Sequence, residues 1–126
     1  MVKKQTKILV VDDDESFLEM LHQFLADNGY EVKLSVNGNQ AKEFYNEFLP
    51  DIVLTDIVMP SVDGIELLLS LRKVNPELRL IAMSGGNTGH ADTYLKMADN
   101  LGANIILNKP FKLSDLLEQI QELEAA

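Results

Sequence analysis

The chain contains no cysteine, which removes disulfides, thiolate metal sites and thiol nucleophiles together and fits a reducing compartment. Basic charge is scarce. Eleven Lys and Arg face twenty Asp and Glu, for a net charge of −9. That balance argues against direct, unspecific binding to nucleic acid or an anionic membrane surface, both of which need clustered cations. A basic protein partner stays open. Long apolar runs are missing as well, and no stretch approaches the ~20 residues that span a bilayer. Ile8 to Val11, behind the basic segment Met1 to Lys7, is too short for the core of a signal peptide. Neither an internal repeat nor a linker or low-complexity tract is visible. The expectation is a soluble, cytoplasmic protein.

What remains is 126 residues, 46% of them hydrophobic, enough for one packed domain spanning 1–126. Short apolar runs alternate with helical stretches. Ile8 to Val11 reads as a first strand. Phe17, Met20, Leu21, Phe24 and Leu25 recur at three- and four-residue spacing, the inward stripe of a first helix. Asp14 or Ser16 caps its start and Asn28-Gly29 its end. Glu31 to Val36 reads as a strand nearer an edge, and Ala41, Phe44, Tyr45 and Phe48 mark a second helix stopped by Pro50. Asp51 to Thr55 is the central strand. Ile65 to Lys73 is a third helix with Leu68 and Leu71 inward, and Leu78 to Met83 a fourth strand. Ala91, Tyr94, Leu95, Ala98 and Leu101 mark a fourth helix after a flexible stretch from Gly85 to Gly89. A short fifth strand, Ile105 to Leu107, precedes a closing helix carrying Leu113, Leu116, Leu117, Ile120 and Leu123. Strand then helix, five times over, predicts an α/β fold with a parallel sheet covered on both faces. Residues 1–6 and 124–126 are expected to fray.

The informative residues stand where the apolar runs stop: Asp12-Asp13-Asp14, Asp56, Ser84 and Lys109. In open α/β sheets ligands bind at the carboxyl ends of the strands, so these groups would share one rim. Asp14 reads as a helix cap, since acids favour helix N-termini. Asp12, Asp13 and Asp56 would crowd three carboxylates together. Two unit charges about 4 Å apart interact by roughly 4 kcal/mol at an effective dielectric near 20, so such a group holds a proton or attracts a cation. Carboxylates without His or Cys favour Mg²⁺ or Mn²⁺ over zinc. Lys109 makes sense beside them if a second anion arrives, such as a transferring phosphoryl group. The Ser84 hydroxyl would bind its remaining oxygens. Asp56, on the central strand, is the candidate nucleophile for an aspartyl phosphate.

At this point the chain resembles the receiver domain of two-component response regulators, from about Lys7 to Leu123. The matching pieces are Val10-Val11-Asp12-Asp13, Thr55-Asp56-Ile57-Val58-Met59-Pro60, Asp63-Gly64, Met83-Ser84 and Lys109-Pro110-Phe111. The resemblance implies a flavodoxin-like, doubly wound sheet of five parallel strands in the order 2-1-3-4-5 with five helices. It implies that Asp56 accepts a phosphoryl group from a sensor histidine kinase or a histidine phosphotransfer protein. Asp13 would hold Mg²⁺ directly and Asp12 largely through water, with Asp56 and the Val58 backbone carbonyl as further ligands. Ser84 would move towards the phosphoryl group and Lys109 pair with one of its oxygens, and the Lys109-Pro110 bond would be cis. Such a module is not an enzyme in its own right, though it assists its own phosphotransfer and autodephosphorylation. It acts on a separate output protein or on an output domain not seen in the sequence. One departure stands out. The family usually carries Tyr or Phe at the fifth-strand position held here by Ile106, so the switch would rest on the loop from Gly85 to Gly89 and the start of the fourth helix.

Other classes fit less well. A haloacid-dehalogenase-type aspartyl phosphatase places a second Asp two residues after its nucleophile, where this chain has Val58. An FMN carrier needs a Ser/Thr/Gly phosphate loop after its first strand, where three acids would repel the phosphate. A degenerate receiver serving only as an interaction domain would lack phosphorylation residues, and here all are present.

Overall fold

A computed structural model of the chain describes residues 5–57, 64–85, 96, 99–100 and 102–125. Strands β1 (Lys7–Val11), β2 (Glu31–Ser35), β3 (Ile52–Asp56), β4 (Arg79–Gly85) and β5 (Ile105–Lys109) alternate with helices α1 (Glu15–Asp27), α2 (Gly38–Phe48), α3 (Gly64–Val74) and α4 (Leu113–Ala125). The strands form one sheet in the order β2-β1-β3-β4-β5, every neighbouring pair parallel. That is the expected order, with β2 and β5 as edges. Among the described residues there are four helices. The further helix expected from Ala91 to Leu101, and most of the stretch from Gly85 to Gly89, lie outside them.

Alternation along the strands divides the core in two, because successive side chains point to opposite faces. Leu9, Val11, Val53, Leu80 and Ala82 face Tyr45 of α2 and Leu67, Leu68 and Leu71 of α3. Ile8, Val10, Ile52, Leu54, Ile81 and Met83 face Leu18, Leu21 and Leu25 of α1 and Leu116, Ile120 and Leu123 of α4. The central strand β3 is buried along its whole length, as a parallel sheet covered on both faces requires.

Local signals account for the ends of the elements. The Asp14 side chain caps α1 by accepting a hydrogen bond from the Phe17 N–H at 3.2 Å. After Asn28 the chain turns through Gly29 at φ 91, a left-handed conformation that glycine adopts without steric cost. Pro50 disfavours the right-handed helical region for its predecessor, and Leu49 leaves α2 at φ 50. Arg72, at the end of α3, donates to the carbonyls of Pro76, Leu78 and Gly102 and so ties that helix to the strand starts.

Two expectations fail. Met20 is 45% exposed while Leu18 is buried, because the inward stripe of α1 runs through residues 18, 21 and 25 and leaves Met20 on its flank. Of the residues expected to fray, Thr6 and Glu124 are held; residues 1–4 and 126 lie outside the described residues. Glu124 accepts hydrogen bonds from the Tyr30 hydroxyl at 2.5 Å and the Thr6 hydroxyl at 2.8 Å, which fastens α4 to the start of β1. Burial of the Tyr30 phenol, then its hydrogen bond to Glu124 and the charge of that carboxylate, push its pKa above the ordinary tyrosine range. The folded chain therefore keeps this proton longer than the unfolded chain. The associated stability is complete below the usual tyrosine pKa of 10.0 and is lost as pH rises beyond it. In urea titrations from neutral to alkaline pH, Glu124→Gln should lessen that alkaline loss. At neutral pH, Glu124→Ala should cost about 1–2 kcal/mol, the scale of a buried hydroxyl left unpaired.

Candidate functional site

The strand register brings the acids together. Val11 of β1 lies opposite Thr55 of β3, so the next residues, Asp12 and Asp56, emerge side by side at the carboxyl rim. Their positions continue the alternation of Val10 and Leu54, which places both on the α1 and α4 side of the sheet. Asp12 is 1% and Asp56 7% exposed. Asp13 is exposed, and one carboxylate oxygen from each of the three lies within 4.8 Å of the others.

Lys109 ends the edge strand β5, two strands and so about 10 Å from β3. It continues the alternation of Ile105 and Leu107 and therefore points to the same side. Its long side chain spans the gap, with Nζ 2.6 Å from Asp12 Oδ2 and 3.2 Å from Asp56 Oδ2. Burial pulls the ammonium pKa down, but its hydrogen bond to Asp12 and the charges of Asp56 and Asp12 outweigh it and hold the pKa above that of an ordinary lysine. Burial pushes the Asp12 carboxyl up. The Lys109 hydrogen bond, the Asp14 N–H and the Lys109 charge oppose that rise, while the charge of Asp56 adds to it. One ammonium thus faces three carboxylates, and the rim keeps an excess of negative charge.

The backbone around Asp56 is fixed. Thr55 Oγ1 donates to the Asp56 carbonyl at 2.9 Å, Ile57 N–H to the Met83 carbonyl at 3.0 Å, and Gly64 N–H to the Ile57 carbonyl at 3.1 Å. Gly64, which the sequence shows only as part of the Asp63-Gly64 piece, has a steric role. A Cβ at that position would overlap the Asp56 carbonyl oxygen and the Ile57 Cα, so the start of α3 rests directly on the backbone of the candidate nucleophile.

Other expected site residues take different places. Ser84 is 1% exposed, and its Oγ has no hydrogen-bond partner among the described residues. Alternation along β4 assigns it to the α2 and α3 side, with Leu80 and Ala82. Ile106 lies opposite Ala82 and packs against that same cluster. Val58, Met59, Pro60 and Asp63 lie outside the described residues. The Lys109-Pro110 bond is cis, as expected. Sequence reasoning missed Phe17, which it read only as part of the helical stripe. Its ring lies under the Lys109 ammonium, with Nζ 4.4 Å from the centroid, and no local pattern signals a contact between residues so far apart in the chain.

Three clustered carboxylates without His or Cys suit a hard divalent cation, and the lysine beside them suits a second anionic ligand. A family profile described as the response regulator receiver domain matches residues 8–121. The chain belongs to that family. It is 37% identical to the DNA-binding transcriptional regulator NtrC of Azospirillum brasilense over 90% of its own length, and 34% identical to the response regulator MprA of Mycolicibacterium vanbaalenii over 93%. It covers 23% and 49% of those two proteins, so it spans about a quarter to a half of the curated relatives it matches. The crystal structure of a CheY-like response regulator receiver domain protein from Methanospirillum hungatei JF-1 superposes with a TM-score of 0.85 at 30% identity, covering 94% of this chain and 93% of that one.

In this receiver domain Gly64→Ala should distort the Asp56 to Ile57 backbone. The expected cost is about 1–3 kcal/mol, the range for inserting a carbon into a packed site, read as a lowered urea midpoint. Gly29→Ala provides the contrast, since a Cβ there meets nothing within 4 Å and only the φ of 91 opposes it.

Proposed function

We propose that Asp56 accepts a phosphoryl group from the phosphohistidine of a sensor histidine kinase or a histidine phosphotransfer protein. In that step an Asp56 carboxylate oxygen bonds to phosphorus as the phosphorus–nitrogen bond breaks and the imidazole leaves. Phosphoryl transfer needs mainly positioning and charge neutralisation, and the observation that carries the reading is the Lys109 ammonium held 2.6 Å from Asp12 and 3.2 Å from Asp56. Lys109 would follow the transferred oxygens. Asp12, Asp13 and Asp56 would hold Mg²⁺, or Mn²⁺ in its place, with the Val58 carbonyl as the further ligand the family resemblance assigns. The bound ion would neutralise charge on the phosphoryl oxygens. The buried Ser84 hydroxyl, left without a partner among the described residues, would move towards the rim to donate to a phosphoryl oxygen, as the family resemblance implies, and with Ile106 in place of an aromatic the signal would leave through the end of β4. Water reaching the same site would later hydrolyse the acyl phosphate.

Phosphorylation would change the affinity of this domain for an output protein or an attached output domain, in keeping with relatives much longer than the chain. No helix among the described residues is long and apolar enough to cross a membrane.

Incubation with acetyl phosphate and Mg²⁺ should add one phosphoryl group by intact mass, and none in Asp56→Asn or with excess chelator. Absence of the gain with every donor tried would overturn the acceptor role. Calorimetric titration with Mg²⁺ gives a second check. Because Asp12 titrates above the ordinary carboxyl value of 3.8, acidification should weaken binding before pH falls to that value.

A further inference from the structure

Four contacts close a circuit around Lys109. Asp12 Oδ2 accepts from Lys109 Nζ at 2.6 Å, and Asp12 Oδ1 accepts from the Asp14 N–H at 2.9 Å. Asp14 Oδ1 accepts from the Phe17 N–H at 3.2 Å, which sets the first turn of α1. The Phe17 ring then meets the Lys109 ammonium at 4.4 Å. Phe111 meets the same ring in an edge-to-face contact, with centroids 6.1 Å apart at 79°. The carboxylate that pairs with the lysine thus also helps to orient the ring that receives it.

We propose that Phe17 is a positioning residue for phosphoryl transfer, its ring face holding the Lys109 ammonium at the rim independently of the carboxylates. The inference rests on the acceptor role proposed for Asp56. An ammonium is attracted to the face of an aromatic ring, and this attraction, unlike the pairing with Asp12 or Asp56, survives when those oxygens are engaged elsewhere. Such engagement is inherent in the reaction: Asp56 spends its charge on the new bond to phosphorus, and Asp12 belongs to the acidic cluster. An ammonium without a third partner would lose its place at the moment it is needed. With Phe17 it stays within reach of the incoming oxygens. An aliphatic residue of similar bulk fills the space but offers no quadrupole.

The test compares wild type with Phe17→Leu and Phe17→Tyr. Phosphoryl gain from acetyl phosphate with Mg²⁺ should slow by about 3- to 10-fold in Phe17→Leu and stay within about twofold of wild type in Phe17→Tyr, matching the scale of one partly exposed cation–π contact. A second readout reports where the ammonium sits relative to the ring. In proton NMR spectra of the wild-type protein the Lys109 ε-methylene signals, assigned by their loss in Lys109→Arg, should lie upfield of those of the other lysines. That displacement should vanish in Phe17→Leu and return in Phe17→Tyr. Equal phosphorylation rates in wild type and Phe17→Leu would overturn the positioning role and leave the acceptor role intact, as would a rate lost in Phe17→Leu and not restored by tyrosine. An ordinary Lys109 chemical shift in wild type would also overturn it. No phosphoryl gain by wild type would overturn the acceptor role, and the positioning role with it.

Discussion

Two buried carboxylates share one ammonium at the rim of the sheet, and much of the fold serves to make that meeting possible. Leaving Asp12 and Asp56 out of water without a cation would be costly, and the described residues supply Lys109. That lysine begins two strands from Asp56 and three from Asp12, and reaches both because β5 runs parallel to β3 and β1 and ends at the same rim. An antiparallel edge strand would carry its last residue to the opposite end of the sheet. Parallel topology is therefore a requirement of the charge arrangement as well as a product of the helical crossovers.

The sheet also sorts the rim residues by face. Asp12, Asp56 and Lys109 continue the alternation that points towards α1 and α4, while Ser84 and Ile106 continue the one that points towards α2 and α3. Charge chemistry thus lies on one side and an uncharged pair on the other, with β4 between them. Ile106 packs against the α2 and α3 cluster, and its side chain neither donates nor accepts a hydrogen bond.

The strand ends were legible because buried parallel strands are continuous apolar runs, and a charged residue that stops such a run marks the rim. That reasoning found Asp12, Asp56, Ser84 and Lys109 without reference to structure. It did not fix the phase of α1, since three- and four-residue spacings allow neighbouring stripes and only packing against Ile8 and Val10 selects Leu18 over Met20. Contacts between distant parts of the chain left no local trace. Glu124 holding Tyr30 and Thr6, and Phe17 meeting Lys109, depend on elements about a hundred residues apart. Gly64 is an intermediate case: its glycine was visible, but the Asp56 carbonyl against which it packs was not.

The excess of negative charge at the rim constrains the order of events. A phosphoryl donor brings more negative charge to a place where Lys109 already faces three carboxylates, in a chain whose net charge is −9. At about 4 Å each uncompensated pair of like charges opposes approach by roughly 4 kcal/mol at an effective dielectric near 20, a thousandfold penalty on encounter. Lys109 cannot remove that barrier alone, because its charge is already divided between Asp12 and Asp56. A divalent cation bound to the carboxylates would offset the excess and also loosen the lysine's hold on them, freeing it for the incoming oxygens. The charges would favour a cation first and the phosphoryl group second, and during that exchange an uncharged partner for the ammonium would matter most.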